Sequence, residues 1–328
     1  MSGERVHRAS YEIDVTAPAG VVYGLIADTT QWPLIAPSSI HVERLDFDGV
    51  IDRFRMWFTA NGSVRSALSH RTLDSARTRI EFLQELPAGS AGFAGSAAPA
   101  VSMAGTWTVE PCGAGRSRLR LEHEFTVAAG PPGDVAWLLL ATDTNSRAEL
   151  EQLKENAERW REIDGLLLGF EDSVRVHGPA ELVYDFLYGV ADWPGRVPHV
   201  ARAEVREDVP GVQCLRMETR AEGGGPPQAT ESVRICFPHA SRIVHKQTRT
   251  PPLIEAHTGE WSVLPDETGV TVISQHSVLL RAADVERVLG PAADLPRARA
   301  HVRATLGRES LSVLQLAKRH AESAIRSL

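Results

Sequence analysis

VTAPAGVVYGLIADTTQWP, residues 15–33, and VHGPAELVYDFLYGVADWP, residues 176–194, are one segment written twice. Pro18, Ala19, Val22, Tyr23, Trp32 and Pro33 fall on Pro179, Ala180, Val183, Tyr184, Trp193 and Pro194 at a constant offset of 161. Downstream, Ser69, Arg71, Ile80 and Gln84 fall on Ser232, Arg234, Ile243 and Gln247 at an offset of 163. Gly105 and Trp107 then match Gly259 and Trp261 at 154, and Leu150, Lys154, Ala157 and Glu158 match Leu314, Lys318, Ala321 and Glu322 at 164. The order never breaks, and the one large drop in offset places an insertion in the first copy, the Ala/Gly-rich stretch 89–105, which reads as a loop. The chain is therefore read as two tandem domains, 1–163 and 164–328, each long enough to bury its own core.

Each copy opens on an alternating segment (Tyr11, Ile13, Val15; Val174, Val176) that predicts a strand. A short helix follows, with Pro18 and Pro179 in its first turn and Trp-Pro at its end. Strand-like runs at 39–48, 51–60, 63–74, 77–85, 101–111 and 116–128 come next in the first copy, divided by Asp-Gly, Asn-Gly and Gly-rich turn signals. Long helices are expected at 131–160, where Leu139, Ser146, Leu150, Leu153, Ala157 and Trp160 keep a helical period, and at 284–324. This order predicts an α+β domain in which a curved antiparallel sheet grips a helix, leaving room for a ligand between them.

A net charge of −7 with interspersed Lys and Arg argues against nucleic acid as a partner. No apolar run reaches membrane-spanning length, so a cytoplasmic chain is expected. Three separated cysteines, Cys112, Cys214 and Cys236, suggest neither a disulfide framework nor a thiolate metal site. Signatures for nucleotide, hydrolase and zinc chemistry are missing, and no cofactor is expected. His257 and His276 fall on neighbouring predicted strands with His245 nearby, but no third ligand has helpful spacing, and the expectation is no metal.

The repeated Ser-x-Arg puts Ser69 with Arg71, and Ser232 with Arg234, on one face of a strand. Facing a cavity, such a pair could hydrogen-bond a carbonyl or a developing enolate. Val233, Ile235 and Phe237 occupy the alternate positions, however, and pattern alone would send those inward and Arg234 to solvent.

These residues, in this order, resemble the di-domain aromatase/cyclases of bacterial type II polyketide synthases, in the START or Bet v 1-like helix-grip superfamily. The resemblance rests on Trp-Pro after the first helix, Asn61-Gly62-Ser63-Val64 before Ser69-x-Arg71, Asn145-Ser146-Arg147, Ser232-Val233-Arg234-x-Cys236-Phe237-Pro238, and His257-Thr258-Gly259-x-Trp261. It implies a seven-stranded sheet around a long C-terminal helix with two short helices, and a pocket for a poly-β-ketone tethered to the phosphopantetheine of an acyl carrier protein, alongside other synthase subunits. It also implies inward arginines, reversing the periodicity reading, with Arg71, Ser69, Arg234 and Ser232 catalytic. Ala67 and Thr230 stand where the family's Trp-x-Ser-x-Arg has its Trp, while Trp32 and Trp193 match a Trp near the pocket mouth. An aromatic of the family is replaced by Ser39 and Val200. Asn145, with Glu309 as its second-copy equivalent, and His276 complete the implied substrate contacts, and Arg53, Arg55 and Arg65 are candidates for carrier-protein docking or a solvated face. The implied activity is first-ring cyclisation and dehydrating aromatisation of a ketoreduced chain. A non-catalytic carrier of a hydrophobic molecule and a chaperone-like cyclase are the alternatives.

Overall fold

The computed structural model describes residues 5–60, 62–85, 102–127, 132–220 and 227–325. The insertion as far as residue 101, together with Asn61, Pro131 and the side chain of Leu139, lies outside the described residues. The chain divides into two compact units, Met1–Ile163 and Asp164–Leu328.

In the first unit, β1 (Arg5–Val15), α1 (Ala19–Ala27) and α2 (Trp32–Ile35) lead into β2 (Ser39–Phe47), β3 (Ile51–Ala60), β4 (Ser63–Asp74), β5 (Arg79–Glu85), β6 (Ser102–Pro111) and β7 (Ser117–Val127). Helices α3 (Pro132–Glu158) and α4 (Trp160–Leu166) close it. The sheet is antiparallel with order β1-β7-β6-β5-β4-β3-β2. The second unit repeats this as β8 (Leu167–Val176), α5 (Ala180–Tyr188), α6 (Trp193–Arg196), β9 (Val200–Val209), β10 (Val212–Thr219), β11 (Gln228–Phe237), β12 (Arg242–Arg249), β13 (Ile254–Asp266), β14 (Gly269–Leu280), α7 (Val285–Leu289) and α8 (Leu295–Ile325). Its order is β8-β14-β13-β12-β11-β10-β9. Both sheets are the seven-stranded helix-grip sheets implied by the sequence.

Period-two burial builds the strands: in β3, Asp52 and Phe54 are buried while Ile51, Arg53 and Arg55 are exposed. The cores are equivalent, with Val15, Val22, Ile80, Leu150 and Ala157 in one unit and Val176, Val183, Ile243, Leu314 and Ala321 in the other. The matched glutamates anchor the long helices: Thr16 N–H donates to Glu158 at 2.8 Å, and His177 N–H to Glu322 at 2.9 Å.

Three expectations change. Pro18 caps α1 from outside, its carbonyl accepting from the Val21 and Val22 amides. Trp32-Pro33 opens α2 instead of ending α1, because a proline in a first turn forfeits no helical hydrogen bond. The helix expected at 284–324 is two: α7 stops at Gly290 (φ +93°), and α8 restarts after Asp294, whose carboxylate accepts from Arg297 N–H at 3.0 Å.

Gly105 on β6 has no room for a side chain, since a Cβ there would sit 2.4 Å from both the Glu122 carbonyl oxygen and the Phe82 ring. Gly105→Ala should destabilise the first unit by about 1–3 kcal/mol, read from the urea midpoint.

Candidate active site

A buried arginine on each sheet holds the neighbouring short helix by its C-terminus. Arg71 on β4 donates from Nη1 to the Ile26 carbonyl (2.7 Å) and from Nη2 to the Ala27 carbonyl (2.7 Å) and Asp52 Oδ2 (2.6 Å). The helix end is the place for a cation, because its last carbonyls are unpaired and the helix dipole is negative there. The guanidinium also lies 5.2 Å from the Trp32 ring and 5.1 Å from Phe54, and the Trp32 indole N–H bonds the Leu25 carbonyl at 3.1 Å.

The second unit repeats the latch with one change. Arg234 donates from Nη2 to the Leu187 carbonyl and from Nη1 to the Tyr188 carbonyl (3.4 Å), while Trp193 N–H bonds the Phe186 carbonyl at 3.1 Å. Asp52, which faces Arg71 across β3 and β4, becomes Gln213 facing Arg234 across β10 and β11. Gln213 Oε1 accepts from Arg234 at 2.9 Å, and its amide passes the contact on to Glu207 at 2.9 Å. Burial lowers the pKa of both arginines, and in the first unit Asp52 opposes that shift most strongly.

Both arginines therefore point inward, against the periodicity reading. Val233, Ile235, Arg234 and Cys236 are all buried, so β11 is covered on both faces and its apolar alternation carries no direction. In both arginines the Nε–H is a buried donor with no partner, and so is the Ser69 hydroxyl, two residues from Arg71 and fully buried. Ser232 is half-buried, and Ala67 and Thr230 are buried two positions before the serines. Trp32 and Trp193 pack against the arginines; Trp193 is only 3% exposed and forms no open mouth. Arg53 and Arg55 are exposed on β3.

Asn145 is a correction: it is exposed on α3, and Ser146 takes the inward position, because a one-residue step turns a helical side chain by about 100°. Ser146 Oγ lies 2.9 Å from His123 Nε2. The inward counterpart in α8 is buried Ser310, with Glu309 half-buried beside it. His123 was not singled out in the sequence, yet it faces Gly105 across β6 and β7 as His276 faces Gly259 across β13 and β14. That shared partner is the signal that would have found it.

In the second unit His276 joins a larger group. His257 Nε2 lies 3.0 Å from His276 Nδ1, Ser274 Oγ is 3.1 Å from His276 Nε2, and Trp261 N–H donates to Ser274 at 2.9 Å. His245 stands edge-on to His257 with ring centroids 5.4 Å apart, and its ring fills the space above Gly259. The corresponding first-unit positions hold Phe82 and Met103, so one wall is mostly apolar and the other polar. Burial holds the imidazoles neutral, lowering His123 and His276 to about 4 and His245 to about 3, with His257 also well below its ordinary value. Among the described residues no helix is long and apolar enough to cross a membrane.

Residues 6–158 match one family profile and residues 176–299 a second, both described as polyketide cyclase/dehydrase and lipid transport. The chain is 35% identical to the granaticin polyketide synthase bifunctional cyclase/dehydratase of Streptomyces violaceoruber, over 97% of this chain and 95% of that one. It is 34% identical to the actinorhodin polyketide synthase bifunctional cyclase/dehydratase of Streptomyces coelicolor, over 99% and 98%. Two crystal structures superpose on nearly the whole chain. The di-domain aromatase/cyclase BexL from the BE-7585A biosynthetic pathway does so with a TM-score of 0.82 and 42% identity, over 96% of this chain and 99% of that one. StfQ, the di-domain aromatase/cyclase from the steffimycin pathway, gives 0.81 and 30%, over 97% and 99%.

Arg71→Met should cost about 3–5 kcal/mol, because it leaves the buried Asp52 carboxylate with only the longer contact to Arg44 at 3.3 Å. Arg234→Met, which leaves only Gln213 behind, should cost less, and urea unfolding of the two variants compares them. The histidines set a pH dependence. Their folded pKa values lie below the unfolded value of about 6.5, so their contribution is complete above that pH and is lost as pH falls, toward about 4 for His123 and His276 and about 3 for His245. His245→Phe, the first-unit residue at that position, should flatten this fall by at most about 1.4 kcal/mol per pH unit, measured as unfolding free energy against pH.

Proposed function

Since the chain belongs to the polyketide cyclase/dehydrase family and is an enzyme of the bifunctional cyclase/dehydratase kind, we propose that it closes and aromatises the first ring of a ketoreduced poly-β-ketone. The substrate is delivered on the phosphopantetheine of an acyl carrier protein working with other subunits of a type II synthase. The observation that carries the assignment of the site is the unpartnered, buried Nε–H of Arg71 beside the unpartnered hydroxyl of Ser69. Nη1 and Nη2 of Arg71 are bonded to α1 and Asp52, so the guanidinium is fixed, and Nε is the nitrogen that makes no hydrogen bond within the protein.

A poly-β-ketone needs control of which carbons meet more than it needs activation, and a fixed cavity supplies that by proximity. In ring closure a methylene loses a proton, its carbanion carbon bonds to a ketone carbon, and the carbonyl electron pair moves to oxygen, which takes a proton. Arg71 Nε–H and Ser69 O–H stabilise the charge developing on that oxygen. In dehydration a neighbouring C–H proton leaves, the C=C bond forms, and the hydroxyl departs with a proton as water. Aromaticity makes this loss favourable. Arg234 and Ser232 play the same part in the second unit, with Trp32, Ala67, Trp193, Thr230 and His276 shaping the two sites.

Ser69→Ala separates chemistry from folding. Removing a buried hydroxyl that has no partner should leave stability within about 1 kcal/mol. Loss of an oxyanion donor should slow aromatic product formation about 100–1000-fold in a synthase reconstituted with its ketoreductase. Wild-type rates in Ser69→Ala would overturn the assignment of this site. A product profile indifferent to the wild-type chain, together with tight binding of a fluorescent fatty acid, would instead establish a carrier.

A further inference from the structure

The second unit brings three histidines from three consecutive strands to one place: His245 on β12, His257 on β13 and His276 on β14. Each can offer a ring nitrogen, and the three lie within 4.8 Å of one another. The ring centroids are 5.4 Å apart for His245 and His257, 5.3 Å for His257 and His276, and 6.4 Å for His245 and His276. Imidazoles bound tetrahedrally at a metal–nitrogen distance of about 2.05 Å would have centroids about 5.2 Å apart and nitrogens about 3.3 Å apart. Two of the three separations already meet this, and the His257–His276 nitrogen pair is at 3.0 Å.

We propose that His245, His257 and His276 form a binding site for a first-row transition dication of the zinc class. Three features besides distance support it. His276 turns its other nitrogen to Ser274, which is itself held by Trp261, the outer hydrogen bonding that orients a metal-ligating imidazole. His245 Nδ1 is buried without a partner, so the protein alone leaves polar capacity unused here. The three-imidazole donor set favours zinc, cobalt, nickel or copper over magnesium or calcium. The carboxylate closest in influence to His276, Asp172, is held by Arg303 at 2.7 and 3.1 Å and is not a ligand. Arg234 lies opposite His245 on β11 and packs on Trp261, and an anion in the fourth position of a bound dication would offset that neighbouring charge. The first unit provides an internal comparison, because Phe82, Met103 and His123 leave it one ligand where the second unit has three.

The test is titration of the tag-free, chelator-stripped full chain with Co²⁺. Expected are visible d–d bands of a nitrogen-rich tetrahedral site, displaced by Zn²⁺, and a higher thermal midpoint with either metal. His257→Gln and His245→Phe should each weaken cobalt binding at least about 10–100-fold, while His123→Gln should leave it unaltered. Should either variant fail to fold by circular dichroism, the other variant and the wild-type spectrum still decide. Absence of both the bands and the thermal shift in the wild-type chain overturns the site, as do undiminished bands in a folded His257→Gln or His245→Phe.

Discussion

A guanidinium bonded to the last carbonyls of a short helix organises each half of this molecule. Without Arg71 the Ile26 and Ala27 carbonyls would lose their side-chain donor, and α1, only nine residues long, would be held by little beyond its apolar face. The same bonds fix the guanidinium itself, which is how a long, flexible side chain becomes a rigid element of the interior. The nitrogens of one group are used unequally: Nη1 and Nη2 carry the fold, and Nε is buried without a partner.

The two halves neutralise that buried charge differently. Asp52 sits directly against Arg71 and is also 3.3 Å from Arg44, an arrangement that closes the charge inside the first unit. In the second unit a neutral glutamine relays the interaction outward to Glu207, which also accepts from Tyr188 and the Gly211 amide. A buried cation without an adjacent carboxylate is held by backbone carbonyls, the glutamine oxygen and aromatic faces. One residue, aspartate or glutamine, thus sets how much positive field remains in each interior.

Much of the fold was legible because the chain contains its own alignment. The repeated Trp, Arg and Glu are the residues that tie helix ends and strand ends together, and such bonds tolerate no substitute of different shape. The limits of the six middle strands of the first copy followed from alternation and turn residues to within two residues, whereas the opening strands begin well before the alternating residues that marked them. The direction of Arg234 was not legible from pattern, since β11 is buried on both sides. Asn145 was implied by the resemblance, whereas the helical period already put Ser146 on one face with Leu150 and Leu153; the contact of Ser146 with His123, on a strand 23 residues away, agrees with the period. The three histidines were legible as neighbours, but their closeness was not: they come one per strand, so no sequence spacing marks them as a set, and the sheet register brings them together.

Gly105 and Gly259 keep the same bare backbone in both copies, yet a phenyl ring lies over one and an imidazole over the other. Such a glycine reserves a volume and says nothing about polarity. Any flat ring of that size can occupy the slot, so a single exchange on the adjacent strand turns a greasy wall into a proton-bearing one while every strand stays in register. For a duplicated chain this is an inexpensive evolutionary step: the scaffold is inherited whole, and the two interiors are free to specialise at a position that backbone geometry leaves open.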